Sequence, residues 1–177
     1  MSNSTNDSGY SKTSIWVHWA TAILIVALFV THEGDRGSAA WSFHVGAGAI
    51  AGLFFLWRIF RRINRGFAPK PKQNEFLNLL SKFVLWGLLL TIIVLTITGY
   101  LLPWSRGDAL DVYGIGIPSP IGRNMALHEM MEEIHDLFGH LIIPLVALHI
   151  LGAVKHLLFD RDKSIIRRVF IAQNDGR

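Results

Sequence analysis

The stretch Ile134–Leu158, IHDLFGHLIIPLVALHILGAVKHLL, decides the fold. It is mostly apolar, uncharged from Leu137 to Val154, and carries His135, His149 and His156. Fourteen residues separate the first two and seven the next, so on an α-helix turning ~100° per residue all three point to roughly one side. His135 and His149 then sit about 21 Å apart along the axis, most of the way across a hydrocarbon core of about 30 Å. Imidazoles at two depths of one span suggest two metal centres.

Composition supports a membrane setting for that helix. Hydrophobic residues make up 51% of the chain and charged residues 17%, against about 25% charged in a soluble domain; mean hydropathy is +0.36. A length of 177 residues leaves room for four spans in a single domain and little else. The absence of cysteine excludes disulfides, thiolate-held zinc, iron–sulfur clusters and covalent c-type haem. Any metal or haem must therefore be held by His, Met, Tyr or carboxylate.

The pattern predicts an all-α, four-helix transmembrane bundle with helices at roughly 14–31, 39–60, 79–104 and 134–158. Met1–Lys12 lacks the charged start and small-residue cleavage site of a signal peptide, so the first apolar run is expected to be kept as a helix. The second window holds His44 and the segment GAGAIAG, Gly46–Gly52. Gly48 and Gly52 share a face there, open to a neighbouring helix or, beside His44, to a flat macrocycle. Phe83–Trp104 carries no charge and no histidine, which gives it a packing role. In the fourth helix Pro144 predicts a kink. The segment Ser105–Glu133 is expected to cap one end of the bundle, and Lys163–Ile171 to lie as a basic amphipathic tail on the opposite membrane surface.

Fourteen of the 17 Lys and Arg fall on one side of this topology, leaving Arg36, Arg106 and Arg123 on the other. The positive-inside rule then places both termini in the cytoplasm. The net charge of +4 reflects topology and lipid contact, not nucleic-acid binding. The outer segments carry Glu33, Asp35, Asp108, Asp111, Glu129, Glu132, Glu133 and Asp136, a negative field.

Topology gives each histidine a depth. His18 and His149 fall at the inner level, His44 and His135 at the outer, and each pair is placed to clamp one iron as in bis-imidazole b haem. The plainer alternative is that these histidines are polar glue between helices. A rival outer pairing joins His32 to His135, because His32 follows His18 by the same fourteen residues. His128, among Glu129, Glu132 and Glu133, is expected to be solvated, and His140 to bond a neighbouring helix. Arg36, Arg106 and Arg123 are candidate partners of outer propionates. His156, about 10 Å beyond His149, suits a hydrogen bond to a quinone carbonyl; a headgroup-level histidine is the alternative.

SIWVHWATA around His18, FHVGAG around His44, the basic exit WRIFRR, EEIHDLFGH around His135 and ALHILGAVKH around His149 and His156 together resemble the prokaryotic cytochrome b561 family, in order and over nearly the whole chain. The resemblance implies a bacterial inner-membrane protein with two non-covalent b haems that exchanges electrons with ubiquinone. It implies axial ligands at His18, His44, His135 and His149, with His156 at the quinone end. Some family members resemble superoxide:ubiquinone oxidoreductases and others are electron-carrying partners of larger enzymes. The expected function is electron transfer between an outer donor, most concretely superoxide, and ubiquinone. The acidic outer field repels an anion and better suits a cationic redox protein, so a non-catalytic haem-bearing anchor is the alternative. A haem-free metal transporter lined by histidine is a third.

Overall fold

The computed structural model describes residues 12–65 and 74–159. Lys70, Lys72, Arg161, Lys163, Arg167, Arg168, Arg177 and the expected basic tail lie outside them. Among the described residues there are four helices: α1 Lys12–Val30, α2 Ala39–Arg65, α3 Glu75–Arg106 and α4 Met125–Phe159. All four are long and apolar enough to cross a membrane, and only 11% to 33% of each apolar window is buried within the chain. The remainder, including Trp16, Ile23 and Val30 on α1 and Leu137, Leu151 and Leu158 on α4, faces outward. Exposed apolar surface on this scale is matched by lipid, not water.

Capping groups set both ends of α3 and the start of α4, and these limits differ from the expected ones. The Asn74 side chain accepts from the Phe76 amide, starting α3 at Glu75, four residues before the expected 79. Gly107, with φ 91°, closes α3 and returns its amide to the carbonyls of Pro103 and Trp104. Asn124 accepts from the Leu127 amide at 3.1 Å, so α4 starts at Met125, nine residues before the expected 134. Those nine residues include three glutamates, which masked the helix in a reading based on apolarity. α4 runs through Pro144 as one helix.

A small β-hairpin joins α3 to α4, an addition to the all-helical expectation. Leu110–Val112 (β1) pairs antiparallel with Ile115–Ile117 (β2). Tyr113 and Gly114 at the turn have φ of 53° and 89°, the left-handed pair of a two-residue type I′ turn. The Asp111 carboxylate accepts from the Gly114 amide at 2.8 Å and fixes that turn. Leu110 is 2% exposed. The Tyr113 ring lies over Gly46, where a Cβ would meet it at 3.1 Å.

The glycine stripe of α2 is closed by protein at Gly46 and Gly52, whereas Gly48, the glycine one turn after His44, has ordinary contact with a single side chain. Gly46 lies under Tyr113, Gly48 faces Leu28, and Gly52 receives Thr96 and Tyr100. The Tyr100 hydroxyl donates to the Ala49 carbonyl across the same contact. Small residues here let α3, α1 and the hairpin approach the α2 backbone closely.

Close backbone approach is concentrated between α3 and α4, α2 and α3, α1 and α2, and between the hairpin and its supports. α4 makes almost none to α1 or α2. Ala51, Phe55 and Ile59 of α2, Ile92 of α3 and Ile142 of α4 form the buried core. Ile142 lies seven residues from both His135 and His149, so this apolar plug fills the bundle between the two histidine levels.

Candidate functional site

Ring pairs bridge the space between α4 and its distant neighbours. The His18 ring on α1 lies 6.1 Å from that of His149 on α4, and the His44 ring on α2 lies 6.2 Å from that of His135. A metal–imidazole bond of about 2.0 Å, with about 1.1 Å from the bonded nitrogen to the ring centre, gives about 6.2 Å when counted on both sides of one ion. Both separations fit a single metal held between the two rings.

Hydrogen bonds orient the His44–His135 pair. His44 Nδ1 lies 2.9 Å from the Leu28 carbonyl, one of the last carbonyls of α1, which lack a partner in their own helix. A carbonyl only accepts, so Nδ1 carries the proton and Nε2 keeps its lone pair. His135 Nδ1 lies 2.8 Å from Thr98 Oγ1. The Thr98 hydroxyl donates its own proton to the Val94 carbonyl at 2.8 Å, so it can only accept from His135. Both rings thus present an unprotonated Nε2, the form a metal requires. Gly99 completes the seat, since a Cβ there would come within 3.4 Å of His135 Cε1.

Thr98→Val keeps the shape of that side chain but leaves the His135 N–H without an acceptor. The expected result is about 10- to 100-fold weaker retention of a metal group bound at His135, with Thr98→Ser close to wild type, read from the release rate of that group from purified protein.

The opposite pair is arranged differently. Arg58 Nη2 lies 3.2 Å from His18 Nδ1, and the guanidinium is also in electrostatic range of His149. The Trp19 ring meets His18 edge-on at 5.9 Å.

The other histidines separate from these pairs. His32 stacks on Phe29 and bonds the Phe29 carbonyl through Nδ1. Its ring lies 6.2 Å from His140, and it is His44 that faces His135. The side chains of His32 and His140 are 30% and 62% exposed, so this third pair sits at the bundle surface. His140 Nδ1 bonds the Asp136 carbonyl of its own helix at 2.9 Å, not the neighbouring helix expected. His128, expected to be solvated, is 5% exposed. It bonds the Leu102 carbonyl at 3.0 Å and lies 3.3 Å from Ser105 Oγ, tying α4 to the end of α3. His156 lies in the last turn of α4, half-buried. Of the three candidate arginines, Arg106 is half-buried and pairs with Asp108 at 3.4 Å, while Arg36 stacks over Trp41.

Thr98, Gly99, Leu28 and Arg58 were not singled out from the sequence as parts of the site. A Thr-Gly step inside an uncharged span was the available signal for the first two, and an arginine at a span's edge for the last. Leu28 acts through its carbonyl, to which its side chain gives no clue.

A bundle of four membrane-spanning helices with imidazoles paired across it is the architecture of a b-type cytochrome. The family model described as prokaryotic cytochrome b561 matches residues 9–170, and the chain belongs to that family. It is 22% identical over 188 residues to cytochrome b561 homolog 2 of Escherichia coli strain K12, covering 99% of this chain and 98% of that one. It is 20% identical over 169 residues to cytochrome b561 homolog 1 of the same strain, covering 89% and 95%. The protein is thus a multi-pass membrane protein of a haem-bearing, electron-transporting family. The four paired histidines, with matched ring gaps and with Nδ1 of His44 and His135 anchored to acceptors, suit the b-type haem that membership implies.

Proposed function

We propose that the protein carries electrons across a bacterial inner membrane through two b haems, taking them from superoxide at the outer face and delivering them to ubiquinone at the inner. The observation that carries this reading is the pair of ring gaps, 6.1 and 6.2 Å, at two levels of one helix. His44 and His135 would hold the outer haem, His18 and His149 the inner. Bound haem supplies a one-electron iron couple at each level. Leu28 and Thr98 fix the tautomers of the outer ligands, and Phe55, Ile92 and Ile142 keep water out of the span between the levels. His156 would donate a hydrogen bond to a quinone carbonyl at the basic end, about one heptad beyond His149. Each superoxide loses one electron and leaves as oxygen; two such electrons and two protons convert one quinone to quinol. Both termini would lie in the cytoplasm, by the distribution of Lys and Arg.

The test mixes purified holoprotein, a superoxide source and a soluble quinone. Protein-dependent quinol formation, reduced at least tenfold in His149→Ala, is the expected result.

A second reading has its own support. Glu33, Asp35, Asp108, Asp111, Glu129, Glu132, Glu133 and Asp136 are all exposed, and the Arg106 charge is already engaged by Asp108. That surface favours a cationic redox protein as electron donor, with this chain as its membrane relay. Absence of quinol formation from superoxide, with quinol formed when a basic redox protein is supplied, would select the relay.

A further inference from the structure

Arg58 sits where a cation is hard to account for by the protein alone. It lies near the cytoplasmic end of α2, half-buried, with Nη2 3.2 Å from His18 Nδ1. Among the described residues no carboxylate is found in an ion pair with it. Its neighbour Arg61 stacks on Trp57 and supplies no negative charge. A partly buried guanidinium in an apolar span is stabilised when an anion meets it.

The bond that Arg58 does make conflicts with metal binding. A guanidinium has only donors, so His18 Nδ1 must accept, and the ring proton sits on Nε2. A ring in that tautomer has no Nε2 lone pair to give. His44 and His135 show the opposite arrangement, with acceptors at Nδ1. Once His18 Nε2 binds iron, Nδ1 carries the proton and repels the guanidinium. Arg58 must then turn to an acceptor close to His18 and His149, and the chain offers no described carboxylate there.

We propose that Arg58 is a positioning residue for the inner haem, releasing His18 when the haem enters and pairing with a haem propionate. The proposal rests on the two-haem reading above. Two consequences separate it from a purely structural role. The guanidinium favours the added electron, so its removal lowers the reduction potential of that one haem. It also holds the propionate ionised, so its removal lets the propionate take up protons and makes that potential depend on pH.

The test is a spectroscopic redox titration of purified holoprotein at several pH values, with haem counted per chain. Arg58→Gln is expected to disfavour reduction of the inner haem at least tenfold, about 59 mV for one electron, with a new pH dependence and the outer haem unchanged. Arg58→Lys keeps the charge and should recover most of the potential. If Arg58→Gln loses the inner haem altogether while Arg58→Lys keeps it at near-normal potential, the pairing stands. Loss of haem in both variants, unchanged potentials, a shift confined to the outer haem, or a fall without pH dependence would each overturn it. Unchanged potentials are also what pairing of Arg58 with a lipid phosphate would produce. A wild-type count below two haems would defeat the underlying reading, and the Arg58 assignment with it.

Discussion

On the proposed two-haem reading, His44→Ala is expected to leave one haem per chain, while His32→Ala leaves both. The two residues are close rivals in sequence: His32 stands fourteen residues after His18, the spacing that also separates His135 from His149. Their surroundings differ. The His44 ring faces His135 at 6.2 Å with Nδ1 tied to the Leu28 carbonyl, leaving Nε2 to ligate. The His32 ring is stacked on Phe29 and its neighbour His140 is largely exposed, so a haem between those two would stand at the bundle surface with little apolar contact. With one of the two imidazoles gone, a haem there would be held only by the remaining histidine and by packing. A pyridine haemochrome assay gives the count, and the reduced spectrum of the remaining haem identifies it with the one retained in His135→Ala. The reverse result, with haem lost in His32→Ala and retained in His44→Ala, would restore the rival pairing. His32 remains within electrostatic range of His44 and His135, so a small spectral or potential change in its variant is compatible with the assignment.

The parts of this molecule that sequence reveals are those governed by periodicity. Four apolar runs give four helices, and the fourteen-residue interval on α4 defines two levels whatever the loops do. The His44 ring stands near that of His135 and the His18 ring near that of His149, because antiparallel helices convert sequence position directly into height. Local chemistry at helix ends and turns is harder to read. The start of α4 is set by Asn124 and hidden by Glu129, Glu132 and Glu133, because a helix outside the apolar region need not be apolar. The hairpin depends on a left-handed Tyr113-Gly114 turn, with Tyr113 an unusual residue for positive φ. His128 reads as solvated from its acidic neighbours, yet those glutamates point outward from α4 while His128 points at α3. The supports of the site were least legible of all. A backbone carbonyl on Leu28 and a missing side chain at Gly99 are functional through features that residue type hardly reports.

Gly99 permits the sharpest separation of site from fold. A methyl group at 99 would lie 3.4 Å from His135 Cε1 and 3.9 Å from Nδ1, so Gly99→Ala requires a shift of at most a few tenths of an ångström. Alanine also favours the helix by about 1 kcal/mol over glycine. This variant is therefore expected to keep both haems in a bundle at least as stable as the wild type. Gly99→Leu adds three more carbons where the imidazole stands. Cε1 lies between the two ring nitrogens, so displacing it disturbs the Thr98 bond and the metal-facing nitrogen together. Overpacking of this kind costs about 1–3 kcal/mol when the protein must yield, and here the ring can yield by leaving its seat. Gly99→Leu should lose the outer haem as completely as His135→Ala does, giving one haem per chain with helix content preserved by circular dichroism. Combining the two should cost no further haem, because both act on one ring. Two haems retained in Gly99→Leu would mean that His135 is not held against α3 in the haem-loaded protein.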